Sequence, residues 1–200
     1  MATRRVLQFK ITLLDIEPTI WRRIQISDLC NFWDLHVAIQ DVMGWLDYHL
    51  HHFEMNYSIE EGKHFMGIPD DEDYGVYKTL PGWEYRVRDY LLINEQFIYK
   101  YDYGDGWQHR VEYEGLHDKQ PDVKYPICIA GERACPPEDV GGVPGYERFI
   151  EAIKTPHHPE RQSLLEWVGG AYDPKQFNPQ KVKFDNPGKR WKKAFENEGY

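Results

Sequence analysis

The sequence predicts an α+β domain, with a mixed or antiparallel sheet built from hairpins and helices gathered mainly in the C-terminal third. Three observations predict it. Apolar and polar residues alternate with period two along most of the chain up to about residue 130. Helical spacing takes over after that point. No strand–helix–strand unit recurs, as a doubly wound parallel sheet would require.

The elements follow in order. Leu7, Phe9, Ile11 and Leu13 alternate with Gln8, Lys10 and Thr12, the pattern of a half-buried strand. Asp15 to Thr19 contains Pro18 and reads as a turn. Ile20 to Ile26 alternates again, with Trp21, Arg23 and Gln25 on one side and Ile20, Arg22, Ile24 and Ile26 on the other, so the two strands form an antiparallel hairpin. Ser27, Asp28 or Asn31 supplies a cap for a helix through Phe32, Leu35, Ile39, Val42 and Met43, which Gly44 closes. Trp45 to Ile59 is strand-like, with His49, His51, Phe53, Met55 and Tyr57 on one parity. Residues 60–83 are loop-rich and include the acidic run Asp70-Asp71-Glu72-Asp73.

Gln96 to Tyr103 and Trp107 to Tyr113 are strands around the turn Gly104-Asp105-Gly106. Tyr125 to Ala130 is a short apolar strand, and Cys135 to Gly145, with two adjacent prolines, is an irregular loop. Tyr146–Thr155, Glu160–Val168 and Pro187–Asn197 read as helices, with Pro187 suited to a first turn. No flexible linker interrupts the chain, so residues 1–180 are expected to form one domain and 181–200 a basic helical tail.

Charge narrows the function. The chain has 24 Lys and Arg against 33 Asp and Glu, a net of -9. Pro174 to Tyr200 holds seven basic and three acidic residues, which leaves 17 against 30, a net of -13, on the rest. An acidic body repels phosphate backbones, so nucleic acid is not the expected partner; a protein or small ligand is. The tail's Lys189, Arg190, Lys192 and Lys193 are expected on a solvated face or opposite the acidic run. There is no apolar run of about 18 residues for a membrane helix and no leader-like apolar segment behind Met1. Three cysteines, an odd number without a pairing pattern, predict free thiols and a reducing cytoplasm.

Common catalytic signatures are missing: no P-loop, no dinucleotide glycine motif, no His-Glu-x-x-His and no Gly-x-Ser-x-Gly. Three constellations carry chemistry instead. In His49-Leu50-His51-His52, a strand would point His49 and His51 the same way, and neutral imidazoles ligate divalent metals. In Tyr101-Asp102-Tyr103-Gly104-Asp105-Gly106-Trp107-Gln108-His109, a two-residue turn sets Asp102 opposite His109 and so orients a base. A three-residue turn pairs Tyr101 with His109 and makes an aromatic clamp. In Cys135-Pro136-Pro137-Glu138-Asp139, a rigid loop presents two acids; the Cys-x6-Cys spacing from Cys128 is not that of a zinc ribbon.

The candidate catalytic residues are therefore Asp102, His109, Glu138 and Asp139, and the candidate ligands of a divalent metal are His49, His51, Asp105 and His109. Trp21, Arg23, Trp45, Tyr101 and Trp107 are the candidate ligand-binding residues, since Trp, Tyr and Arg are enriched where proteins bind. Two functions stay open: a binding module for a protein or small ligand, and a metal-dependent hydrolase working in a His/Asp/Glu cleft.

These blocks, together with Ile16-Glu17-Pro18-Thr19-Ile20-Trp21-Arg22-Arg23 and Gly141-Gly142, resemble the plasmid pRiA4b ORF-3-like family, from about residue 5 to 180. The resemblance implies a single α+β domain of unknown molecular function and an association with mobile elements. Some family members carry a resolvase-like label, but Ser27, Ser58 and Ser163 are the only serines and none sits in a nucleophile motif.

Overall fold

In the computed structural model, which describes residues 5–55, 64–69, 78–91 and 95–195, β1 (Arg5–Leu13) and β2 (Ile20–Ser27) pair antiparallel, with Leu13 opposite Ile20. Ile20, Arg22, Ile24 and Ile26 point to the buried face, as the alternation predicts. The sheet grows on both sides of this hairpin. Among the described residues β3 (His51–Glu54), β4 (His64–Gly67), β5 (Lys78–Pro81), β6 (Gln96–Tyr101), β7 (Trp107–Asp118) and β8 (Ile127–Glu132) complete eight strands in the order β5-β4-β3-β6-β7-β1-β2-β8. Among the described residues only β4 and β5 run parallel, so the sheet is mixed.

Helix α1 (Phe32–Met43) covers one face of the sheet. Asn31 is the cap among the three candidates. Its side chain accepts from the Asp34 N–H at 2.8 Å, and the Asp34 carboxylate accepts from the Asn31 N–H at 3.0 Å. Gly44 ends the helix at φ +89°, where a side chain would be strained. Arg22 ties this end down from inside the core. It is 1% exposed, donates to the carbonyls of Val42, Trp21 and Glu132, and carries the Phe177 ring 3.7 Å from its guanidinium carbon.

Helices α2 (Gly142–Lys154), α3 (Arg161–Trp167) and α4 (Pro187–Phe195) occupy the C-terminal third. The fold is thus α+β. The tail helix α4 is docked rather than simply solvated. Trp33 Nε1 donates to the Pro187 carbonyl at 2.9 Å, Phe195 packs on Trp33, and Arg190 reaches Asp41 of α1 at 2.7 Å. The acidic run at 70–73 lies outside the described residues, as does the strand-like stretch 56–59.

Two local expectations are corrected. Residues 45–50 are not strand; β3 begins at His51. Their polar groups go to other elements instead of a neighbouring strand. Trp45 Nε1 donates to the Pro136 carbonyl, Leu46 N–H to Glu138, and Tyr48 N–H to the Tyr101 hydroxyl. The β6–β7 turn takes neither predicted register, because it holds five residues, 102–106, and sets Tyr101 opposite Trp107 and Tyr99 opposite His109. Asp102 is the cause. Its Oδ1 accepts the N–H groups of Gly104 and Asp105, at 2.9 and 3.2 Å, and so organises a wider loop.

Candidate functional site: three interlocked loops

The segments 45–50, 102–106 and 135–142 meet at one end of the sheet. Tyr101 Oη donates to Glu138 Oε1 at 2.6 Å, and Leu46 N–H donates to Oε2 at 2.7 Å, so Glu138 joins the first loop to the third. Asp105 Oδ2 accepts the Gly141 N–H at 3.1 Å and joins the second to the third. Gly142 permits this approach: a Cβ there would lie 2.4 Å from the Asp105 carbonyl oxygen. The apolar floor beneath is aromatic. Trp45 stacks on Tyr101 with centroids 5.1 Å apart and packs against Trp107, and all three are buried.

Three donors converge on this floor. His49 Nε2 lies 2.9 Å from Asp139 Oδ1 and 3.6 Å from Asp102 Oδ2. The His49–Asp139 contact is a hydrogen bond, and atoms bound to one metal at about 2.1 Å sit about 3.0–3.4 Å apart, so small shifts of these side chains would bring the three atoms to a shared ion. Asp102 is 6% exposed and its other oxygen is held by two N–H groups, which fixes the direction of Oδ2. Asp102 and Asp139 both take left-handed backbone conformations, φ +54° and +56°. Aspartate adopts that conformation more readily than most residues because its short side chain hydrogen-bonds locally. The Asp139 side chain is 62% exposed, so the cluster opens to solvent.

The remaining sequence candidates go elsewhere. His51 does not face His49. It lies in a buried second cluster, stacked on His36 with ring centroids 3.4 Å apart and 4° between planes. His36 is fully engaged: Nδ1 meets the Tyr99 hydroxyl and Nε2 meets Asp47 Oδ1, each at 2.8 Å. Gln40 Nε2 donates to the same Tyr99 hydroxyl at 2.9 Å. A metal binds an imidazole in the ring plane, and two parallel rings 3.4 Å apart cannot both aim at one ion. His36, Asp47 and His51 bring donor atoms close together, but the hydrogen bonds join His36 to Tyr99 and Asp47, and His51 stacks on that network with its Nδ1 unpartnered among the described residues; burial drives the His51 pKa well below its usual value.

His109 is also removed from the cleft. It is 0% exposed, both ring nitrogens lack a hydrogen-bond partner among the described residues, and burial pulls its pKa down to about 3. It packs edge-on against Trp45 at 5.3 Å. Asp105 is occupied in holding Gly141, and Glu138 in holding Tyr101 and Leu46. Trp21 and Arg23 stand on the outer face of the sheet, where Arg23 makes a two-pronged pair with Glu114 at 2.7 and 2.8 Å. The candidate aromatics therefore do not form one surface. His36 and Asp47 had no signal in the sequence, since a helix and a loop bring them together only in three dimensions.

The fold has known counterparts. A crystal structure of a protein of unknown function, MM3350 from Methanosarcina mazei Go1, superposes with a TM-score of 0.82 at 40% identity, covering 92% of this chain and 100% of that one. The uncharacterized protein y4hQ of Sinorhizobium fredii (strain NBRC 101917 / NGR234) is 34% identical over 171 residues, 84% of each chain. The family model for plasmid pRiA4b ORF-3-like proteins matches residues 5–181, a span that holds all three loops and stops just before the docked tail. The chain belongs to the plasmid pRiA4b ORF-3-like family.

Proposed function

We propose that this protein is a ligand-binding module whose site is a divalent-cation centre held by His49, Asp102 and Asp139. One observation carries the reading: three loops that are far apart in sequence bring one imidazole nitrogen and two carboxylate oxygens within 4.8 Å of one another. A cation would offset the two carboxylate charges, and the mixed nitrogen and oxygen donors suit zinc, manganese or ferrous iron. Residues 1–180 are read as one domain and 181–200 as a basic helical tail, whose described helix α4 meets α1. Cys30, Cys128 and Cys135 are free, which suits a reducing cytoplasm. The link to mobile elements rests on the family's name. The acidic composition favours a small ligand or protein over nucleic acid.

A second reading is a metal-dependent hydrolase, favoured by the exposed Asp139 side and by a donor set of three. Three protein ligands leave a coordination position for a water, which the ion would activate.

The test is metal analysis of untagged protein followed by titration with Zn²⁺ and Mn²⁺. One equivalent is expected to bind, and His49→Ala and Asp102→Asn are expected to abolish it. Asn retains the Oδ1 that organises the 102–106 turn and tolerates the left-handed backbone, so the second variant keeps the loop. Absence of saturable binding in the parent protein refutes the centre. If metal binds, turnover of phosphoester or amide model substrates decides between module and hydrolase.

A further inference from the structure

Asp34, Val37, Ala38 and Asp41 follow the helical spacing i, i+3, i+4, i+7, so they share one face of α1, with two acids bracketing two apolar residues. That face lines a groove of about 300 Å³, at the lower end of the range for small-ligand sites, about 300–1,000 Å³. Ile26 and Leu29, at and just after the end of β2, and Pro126, just before β8, add apolar lining. Leu29 is 57% exposed, so it stands where the groove opens to solvent. The tail completes the groove with Asp185 and Pro187. The Asp185 N–H donates to Asp41 Oδ2 at 2.8 Å, and the Pro187 carbonyl accepts from Trp33, which fixes this wall on α1. Both residues lie beyond the family match at 181, so the family domain and the tail make the groove jointly. None of its lining residues belongs to the three interlocked loops.

Charge in the groove is unbalanced. Asp34, Asp41 and Asp185 line it, and Arg190 pairs with Asp41 and Asp185, so three negative charges meet one positive, a net of -2. Asp34 has no cationic partner among the described residues; its Oδ2 accepts the Asn31 N–H at 3.0 Å. Burial raises the pKa of Asp34, and raises that of Asp41 against the pull of Arg190. Carboxylates held against apolar walls with too few cations favour a cation from outside. An anion is repelled there. An inorganic ion takes a shell of oxygen ligands, and the apolar walls offer it none. An ammonium group on an apolar body matches both the acids and the walls.

We propose that this groove is a second binding site, independent of the cation centre, for a small primary amine with an apolar body. The ammonium pairs with the Asp34 carboxylate, and the apolar body lies along Val37, Ala38 and Pro126.

The experiment is calorimetric titration of the full chain at neutral pH in EDTA, so that no result depends on the cation centre. The probes are phenethylamine, its neutral analogue phenethyl alcohol, the anion phenylpropionate, and ethylamine, which has the charge without the ring. Phenethylamine is expected to saturate one site, about ten-fold or more tighter than the alcohol or ethylamine, and phenylpropionate is expected not to bind. Asp34→Asn keeps an oxygen for the Asn31 N–H and so keeps the cap of α1; it should reduce the amine to the affinity of the alcohol. Leu29→Lys, at an exposed position, supplies a tethered ammonium at the mouth and should weaken the amine at least five-fold. Thermal melts report whether each variant is folded, and Leu29→Lys decides alone if Asp34→Asn is not. If amine and alcohol bind alike, or phenylpropionate binds, the carboxylates do not select the ligand and the proposal falls. If the folded variants bind the amine as the parent does, it sits elsewhere on this acidic chain and the groove is not its site. Absence of binding by every probe refutes the site outright.

Discussion

His109 offers a sharp test of the division between core and site. The side chain is fully buried, both nitrogens lack partners among the described residues, and its pKa falls from an ordinary 6.5 to about 3. The folded state therefore binds its proton less readily than the unfolded state does. Between pH 6.5 and about 3 the unfolded chain carries the extra proton, so this residue makes stability fall as pH falls through that window. The slope is about 1.4 kcal/mol per pH unit, which gives about 2 kcal/mol lost between pH 8 and pH 5. His109→Leu removes the titration and the two orphaned nitrogens at similar volume. At pH 8 the variant should match the parent to within about 1 kcal/mol or exceed it, since burying an unpaired polar group is unfavourable. At pH 5 it should be the more stable protein by about 2 kcal/mol beyond any difference seen at pH 8. Urea unfolding at the two pH values measures this. His51, whose pKa is also lowered by burial, contributes equally to both proteins and cancels. If parent and variant lose the same stability between pH 8 and pH 5, His109 is not a buried neutral histidine. Loss of metal binding in the variant would return it to the site.

Other perturbations probe the joints of the structure. Arg190→Met removes the cation paired with the buried Asp41 and close to Asp47, and should lower stability by about 2 kcal/mol; a double-mutant cycle with Asp41→Asn should show strong non-additivity. Gly142→Ala forces a Cβ against the Asp105 carbonyl at φ +66°, so thermal unfolding should drop by the equivalent of about 1–3 kcal/mol and metal affinity should fall as the loops part. An unchanged melting temperature would show that the interlock is loose. Tyr101→Phe leaves a Glu138 oxygen and the Tyr48 N–H without partners. It should cost about 1–3 kcal/mol in a denaturant titration, and accelerated hydrogen exchange at Tyr48 should accompany it.

Strands β1 and β2 were legible because one face of each is the more deeply buried, which imposes a period of two on the sequence; helix α1 is buried nearly all round, between the sheet and α4, and was legible from its apolar run at helical spacing. Asn31 and Gly44 at the ends of α1 were legible for a similar reason, since caps are local chemistry. The segment 45–50 misled because its apolar and polar residues alternate without belonging to a strand. Leu46, Tyr48 and Leu50 face water, and the backbone is held by side chains from distant loops. The turn at 102–106 misled because Asp102 competes with the strand ladder for local N–H groups, and one side chain changed the register of the whole hairpin.

The same division runs through the site. The sequence alone determined which residue types had chemistry to offer, and His49, Asp102 and Asp139 were all among its candidates. It could not tell His49, His51 and His109 apart, which differ only in surroundings: one reaches the buried Asp102 and the exposed Asp139, one stacks on His36, and one is sealed beneath Trp45. Tertiary structure decided that, because metal affinity and protonation depend on distances of a few ångströms and on access to water. Both are set by contacts between residues 11 to 90 positions apart, where no local pattern reaches.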